Sequence, residues 1–137
     1  MDSIDTLIND FQEIGAKNRL QLLLEFSESL PDLPEKYHDH PDLLERVIEC
    51  QTPIYLFVEV VDGIVHLFFK APAEAPTTRG FASILHSALD GRKVEDVLNV
   101  DIGFPSKLGL TEVVSPLRMY GMRGMLARIQ RQVKEKS

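Results

Sequence analysis

The chain begins with apolar residues at helical spacing. Four of them fall at positions i, i+3, i+4 and i+7, on one face of a first helix: Ile4, Leu7, Ile8 and Phe11. A second helix is predicted over residues 18–30, with four leucines along one side: Leu20, Leu23, Leu24 and Leu30. The proline-rich segment 31–45 ends this helix, because proline cannot continue one, and is predicted to be a long loop.

The middle of the chain has the composition of strands. Residues 54–61 and 64–69 are rich in β-branched and aromatic residues, and Asp62-Gly63 lies between them. An Asp-Gly pair between apolar runs is typical of a hairpin, because both turn positions require positive φ. Val47 and Ile48 form a candidate third strand. Two strands alone are marginally stable, so we expect a small antiparallel sheet of about three strands covered by helices.

Three more helices are predicted after the hairpin. The first runs from Phe81 to a stop at Gly91, with Thr77 or Thr78 as its N-cap. A short helix covers residues 94–98, and the last one begins at Ser115-Pro116, a pair that suits the N-cap and first positions. Its inner face is formed by Met122, Met125, Leu126, Ile129 and Val133. The whole pattern predicts one α+β domain over residues 1–137, a small sheet packed against helices.

Charge and composition restrict the class of protein. The chain has 15 basic and 21 acidic residues, a net charge of −6, which argues against a nucleic-acid binder. No apolar run is long enough for a membrane span, and the acidic N-terminus lacks the pattern of a signal peptide. A single cysteine cannot form an internal disulfide, which fits a reducing compartment. We therefore expect a cytoplasmic protein that binds neither nucleic acid nor membrane.

Cys50 is the only cysteine, and it lies at a bend just before the first long strand. Pro53 favours extended geometry at Thr52, so residues 49–52 are predicted to form a corner that could present or shelter the thiol. Glu49 disfavours the thiolate, whereas Arg46 or a distant arginine would favour it.

No general base is adjacent to Cys50 in sequence, which favours thiol exchange over attack on a carbonyl. Two alternatives remain open: a cysteine that only packs in the core, and a Cys–His pair assembled by the fold. His38 and His40 lack the further ligands that a zinc site needs, so no metal site is predicted.

Five segments, in this order and spacing, resemble the SufE family of sulfur acceptor proteins in iron–sulfur cluster assembly. They are SLPDLP, VIECQTPIYL, DGIVHL, RGFASILHSALDGRKVEDVLNVD and LGLTEVVSPLRMYGMRGML. The resemblance implies a fold similar to IscU-type scaffold proteins. Those scaffolds use three cysteines to hold a cluster, whereas this chain has one, so we do not expect a scaffold.

The resemblance implies a sulfur carrier rather than a free-standing enzyme. A SufS- or CsdA-like cysteine desulfurase, which uses pyridoxal phosphate, would pass persulfide sulfur to Cys50 and be stimulated by this protein. The sulfur would then go to an iron–sulfur scaffold, and the chain would need no cofactor of its own. Family members often pair with themselves, so a homodimer is a further expectation. The alternative is an interaction module that binds a desulfurase or scaffold while Cys50 is only structural.

Carried over by position, the resemblance makes Cys50 the acceptor, Gln51 its motif neighbour and Arg118 a positive group near the site or the partner. Glu74 stands where the family often has an acidic residue, and Arg79 begins a basic–glycine pair. Turn, cap or surface roles are the alternatives for these four supporting residues.

The chain departs from the family pattern at two positions. Glu49 stands where the family usually has glycine, and Tyr55 stands where tryptophan is common. The first departure predicts a stiffer loop and a less acidic thiol.

Overall fold

The computed structural model describes residues 2–137, with side chains from residue 4 onward. The helices are α1 (Asp2–Gln12), α2 (Ala16–Glu28), α3 (Pro76–Leu89), α4 (Val94–Leu98) and α5 (Pro116–Lys136). The strands are β1 (Glu45–Arg46), β2 (Tyr55–Val61) and β3 (Ile64–Lys70), in an antiparallel sheet of order β1-β2-β3. The predicted α+β architecture of a small sheet with helices is confirmed.

The hairpin is built as its sequence predicts. Asp62 and Gly63 adopt φ values of 52° and 76°, the pair of positive angles that matches the twist of a two-residue turn. From that turn the register runs through consecutive pairs, from Val61 opposite Ile64 to Tyr55 opposite Lys70. The turn therefore fixes which side chains share a face.

One face of the hairpin is the inner wall of the core. Its residues alternate along both strands and are almost fully buried: Leu56, Val58, Val65, Leu67 and Phe69. They belong to one apolar cluster together with the inner faces of α3 and α5, including all five residues predicted for the last helix. The opposite face is covered in part by Tyr37, whose ring lies 5.2 Å from that of Phe57 and 5.1 Å from that of Phe68.

Both edges of the hairpin are covered by other parts of the chain. On β3, the backbone N–H of Val65 donates to Arg92 O and its carbonyl accepts from Gly91 N, at 2.7 and 2.8 Å. On β2, where β1 has ended, the N–H of Val58 donates to Gln132 Oε1 at 3.0 Å and its carbonyl accepts from Lys136 Nζ. Side chains of α5 thus take the place of a longer neighbouring strand.

Two predicted boundaries are wrong. The short strand is Glu45–Arg46 rather than Val47-Ile48, because the chain turns away once the Val47 N–H has bonded to Ile54 O. Helix α3 begins at Pro76 rather than after a threonine cap, since proline at the first helical position lacks only an N–H that would have had no partner.

Other differences are smaller. Leu20 of the predicted apolar side is exposed. The predicted long loop contains two 3₁₀ turns, Glu35–Tyr37 and Pro41–Leu43, and further 3₁₀ turns at Phe104–Leu108 and Leu110–Glu112 had no sequence prediction. Across residues 2–137, no helix combines the length and apolar character that crossing a bilayer requires.

Candidate functional site

Cys50 lies in a loop whose two ends are joined. We call residues 47–54 the cysteine loop. Its base is closed by the Val47 N–H donating to Ile54 O at 3.0 Å, and both of these side chains are fully buried. Inside the loop the Cys50 N–H donates to Val47 O at 3.1 Å. The base is therefore anchored in the core, while Cys50 stands at the bend predicted for it.

The thiol borders a small cavity between the loop and two helices. The cavity has a volume of about 50 Å³ and is lined by loop residues 49–52, by Thr78 and Phe81 of α3, and by Leu117, Arg118 and Gly121 of α5. A more open hollow of about 300 Å³ shares Leu117 and loop residues 49–51 with this cavity and reaches Ile48 and Tyr120. Half-buried Cys50 borders both spaces, so the cysteine is adjacent to a small cavity and to a more open hollow.

Two glycines of α5, Gly121 and Gly124, lie where the cysteine loop comes closest to the helix. A Cβ at Gly121 would lie 2.8 Å from Cys50 Sγ, and a Cβ at Gly124 would lie 2.7 Å from Glu49 Cδ. Real Cβ atoms essentially never come this close to a neighbour. The two glycines therefore allow the loop to lie directly on the helix.

Two polar contacts hold the tip of the loop. Arg128 of α5 donates from Nε and Nη2 to Glu49 Oε1, at 3.0 and 2.8 Å. Its third nitrogen, Nη1, donates to Glu45 of β1. On the other side of the loop the hydroxyl oxygens of Thr52 and Thr78 lie 3.1 Å apart. The loop is thus tied to α5 by an ion pair and to α3 by a hydroxyl contact.

Burial and a neighbouring negative charge make the Cys50 thiol weakly acidic. Burial is the main cause that raises the pKa of Cys50, from 9.0 to about 11, and the negative charge of Glu49 adds to it. The positive charge of Arg128 acts in the opposite direction without overcoming these two effects. The charge of Glu49 thus acts on the Cys50 pKa in the predicted direction, and the distant arginine that favours the thiolate is Arg128 rather than Arg46.

None of the described residues that line the cavity or the hollow is a histidine. The geometry of this part of the chain therefore gives no support to a Cys–His nucleophile pair. Among the side chains of residues 4–137, no group of three or more histidines, cysteines or carboxylates could hold a metal ion.

Comparison with known proteins shows the family of the chain. The sequence model of the SufE family, described as an Fe-S metabolism associated domain, matches residues 5–133. The chain belongs to the SufE family. The family's description associates it with iron–sulfur metabolism.

Relatives of this SufE-family chain include proteins of similar length and fold. A SufE-like protein of Mycobacterium tuberculosis is 48% identical over 130 residues, covering 94% of this chain and 90% of that one. SufE-like protein 1 of Arabidopsis thaliana, named as chloroplastic/mitochondrial, is 26% identical over 96% of this chain and 34% of its own length. The solution structure of a hypothetical protein from Thermus thermophilus superposes with a TM-score of 0.85 at 37% identity, covering 98% and 95% of the two chains.

The structure brings together three of the five residues that the SufE resemblance singled out. Gln51 and Arg118 line the cavity beside Cys50. Arg79 lies elsewhere and donates to Ser27 O and Ala71 O, at 3.2 and 2.7 Å, so it joins α3 to the end of α2 and to the residue after β3. Glu74 is exposed before α3 and is not part of the cavity lining. The functional roles of all five remain predictions.

Sequence reasoning missed Arg128, Thr78 and the exposed apolar residues near the thiol. A signal for the first of these was present. Leu117, Gly121, Gly124 and Arg128 follow one another at spacings of four, three and four residues, which places them along one face of α5. This face of α5 combines two positions without side chains and one positive charge, and it is the face that the cysteine loop contacts.

Proposed function

We propose that Cys50 accepts persulfide sulfur from a pyridoxal-phosphate-dependent cysteine desulfurase, stimulates that enzyme, and delivers the sulfur for iron–sulfur cluster assembly. One observation carries the proposal: the only thiol of the chain stands on an anchored loop, beside both a small cavity and a more open hollow. A carrier needs both positions, because its cargo must be protected between partners and accessible to each of them.

The transfer step is an exchange at sulfur. The Cys50 thiolate attacks the terminal sulfur of the desulfurase persulfide, and its electron pair forms the new S–S bond. The old S–S bond breaks with its electrons on the desulfurase cysteine, which takes up the proton that Cys50 released. The products are Cys50–S–SH and a free desulfurase thiol, with no net oxidation or reduction.

The cavity has room for the transferred atom. Its volume is about 50 Å³, whereas about 10–15 Å³, measured in the same way, is enough to hold one water molecule. A second sulfur beside Sγ would therefore fit without displacing α3 or α5. Such a position would limit contact between the reactive persulfide and solvent reductants or oxidants.

Arg118 and Gln51 are proposed to support the bound sulfur. Both are exposed at the rim of the cavity, and within residues 4–137 the Arg118 guanidinium makes no hydrogen bond or ion pair of its own. A cation beside a sulfur anion favours the charged form, so Arg118 would stabilise the Cys50 persulfide or the incoming one.

The proposed partners follow from the same step. The desulfurase supplies pyridoxal phosphate, so this chain acts without a cofactor of its own. The apolar side chains near the thiol, Ile48, Leu117 and Tyr120, are 75%, 50% and 51% exposed and provide a surface suited to another protein. Delivery to a downstream scaffold, a cytoplasmic location and self-association remain parts of the proposal.

Intact-mass measurement tests the proposal. The protein is incubated with a SufS-type desulfurase, pyridoxal phosphate and L-cysteine, and weighed without reductant. We expect a gain of one sulfur atom that is absent in Cys50→Ser and absent after the thiol has been blocked with iodoacetamide.

The rival interaction module gives a different result. If wild-type protein gains no sulfur and Cys50→Ser stimulates the desulfurase as well as wild type does, the carrier function is wrong and the chain acts by binding alone.

A further inference from the structure

The ion pair between Glu49 and Arg128 occupies the place where the cysteine loop would separate from α5. We propose that this pair is a latch: it holds the loop closed on α5, and its opening makes the Cys50 thiol available. The role given to this latch in sulfur acceptance rests on the proposed function. The latch itself is a property of the isolated protein.

The contact is more than a surface ion pair. The side chains of Arg128 and Glu49 are only 18% and 19% exposed, and two nitrogens of the guanidinium donate to one carboxylate oxygen. Partly buried, charge-assisted hydrogen bonds of this kind are stronger than exposed pairs. Gly124 provides the space in which the Glu49 side chain lies, since a Cβ there would come within 3 Å of three of its carbon atoms.

The latch is also built so that it can open. Arg128 keeps a second carboxylate partner, Glu45 of β1, through Nη1, and Arg131 and Gln132 also donate to Glu45. When Glu49 leaves with the loop, the Arg128 charge is therefore still paired. Breaking a buried pair is costly mainly because it leaves an uncompensated charge behind, and this arrangement avoids most of that cost.

Few charges surround the thiol. The loop contributes Glu49, α5 contributes Arg118 and Arg128, and α3 contributes the uncharged Thr78 and Phe81. Burial is the largest cause of the raised Cys50 pKa. Release of the loop would remove that cause, whereas loss of a charge in a loop that stays closed would not.

Removal of Arg128 therefore distinguishes a latch from a fixed loop, because the two predict opposite changes in the reaction rate of Cys50. In a loop that stays closed, Arg128→Met removes the positive charge that lowers the thiol pKa, so Cys50 becomes less acidic and reacts more slowly. In a loop held by the latch, the same change frees the loop, the thiol becomes hydrated, and Cys50 reacts faster.

The measurement is the rate of iodoacetamide alkylation of Cys50 between pH 7 and 10, with the purified protein alone. For Arg128→Met we expect about tenfold faster alkylation at pH 8, equivalent to an apparent pKa lower by about one unit. An unchanged or slower rate overturns the latch. Arg131→Met is the matched control, because Arg131 pairs with Glu45 and Glu135 rather than with Glu49, and its alkylation rate should equal that of wild type.

A second variant tests the latch without changing any charge. Gly124→Ala places a methyl group where Glu49 lies and suits a helix better than glycine does, so it should fold even if Arg128→Met does not. We expect faster alkylation here too, while Gly15→Ala, which meets no atom within 4 Å, should leave the rate unchanged. Equal rates in both alanine variants contradict the proposal.

The alkylation experiments contain no desulfurase. Failure of the latch therefore leaves the sulfur-transfer test unaffected, and failure of sulfur transfer leaves the latch test unaffected.

Discussion

The hairpin and the cysteine loop are neighbours in sequence but differ in the number and kind of contacts that hold them. The hairpin is held by seven consecutive cross-strand pairs, and both of its edges are covered by groups from the rest of the chain. The cysteine loop, residues 47–54, is fixed at its base, and the polar side-chain contacts that join it to the helices are one ion pair and one hydroxyl contact.

The difference lies in how the stabilising contacts are distributed. The hydrogen bonds of the hairpin share one buried apolar face, so they open cooperatively. A few separate polar contacts can break one at a time, and such segments open at a lower free energy than the core does. The hairpin thus serves as the rigid base from which the loop can move.

The largest effect is expected from damage to the rigid part. Leu56 of β2 is fully buried, so Leu56→Ala should lower the free energy of unfolding by about 2–5 kcal/mol, through lost burial and the cavity left behind. Urea denaturation followed by circular dichroism measures this. Val61→Ala, at a half-exposed position of the same strand, should cost far less. A similar loss in both variants would mean that the inner face of the hairpin does not carry the stability.

The second effect is the pH dependence of thiol reactivity. With a pKa of about 11 rather than 9.0, the fraction of reactive thiolate near neutral pH is about a hundredfold smaller than in an unperturbed cysteine, since each pKa unit is a factor of ten. The alkylation rate should therefore still rise about tenfold per pH unit at pH 10. Urea-unfolded protein is the control and should level off about two units earlier. A plateau of the folded protein near pH 9 would show that the resting loop is already open.

The third effect comes from Gly121, which lies against the sulfur. Gly121→Ala should force Sγ away from α5 and speed alkylation by about tenfold, as expected for a pKa lowered by about one unit. In a Cys50→Ala background the same change should stabilise the protein by up to about 1 kcal/mol, because alanine favours the helix. Equal effects on stability in both backgrounds would show that the sulfur does not press on this position.

The smallest effect concerns the hydroxyl contact. Thr52→Val keeps the shape of the side chain and removes the bond to Thr78, which should cost about 0.5–1.5 kcal/mol and raise the alkylation rate only a few fold. Thr111→Val, at an exposed position in a 3₁₀ turn, is the matched control. An increase as large as that of Gly124→Ala would mean that α3, and not α5, holds the loop.

The rigid part could be predicted from sequence because its signals are local. The Asp62-Gly63 turn and the alternation beside it define the hairpin, and the apolar period of α5 defines its inner face. The strand Glu45–Arg46 has only two residues, which is too short to show an alternating pattern. It is defined by its pairing with β2, so it could not be placed from sequence.

The site could be predicted only in part, for a related physical reason. Cys50 stood out because a proline and a strand fix the bend around it. Its latch joins residues 79 positions apart, and no local pattern around Glu49 indicates which of several arginines it meets. The cavity likewise depends on Thr78 and Leu117, which come from two different helices.

The covered edges of the hairpin also decide how another protein can engage this one. An exposed strand edge invites a foreign strand to extend the sheet, but here backbone groups of residues 91–92 and the side chains of Gln132 and Lys136 already occupy those hydrogen-bonding positions. Addition of a foreign strand at Val58 or Val65 is therefore disfavoured. The same arrangement discourages copies of the chain from joining edge to edge at high concentration.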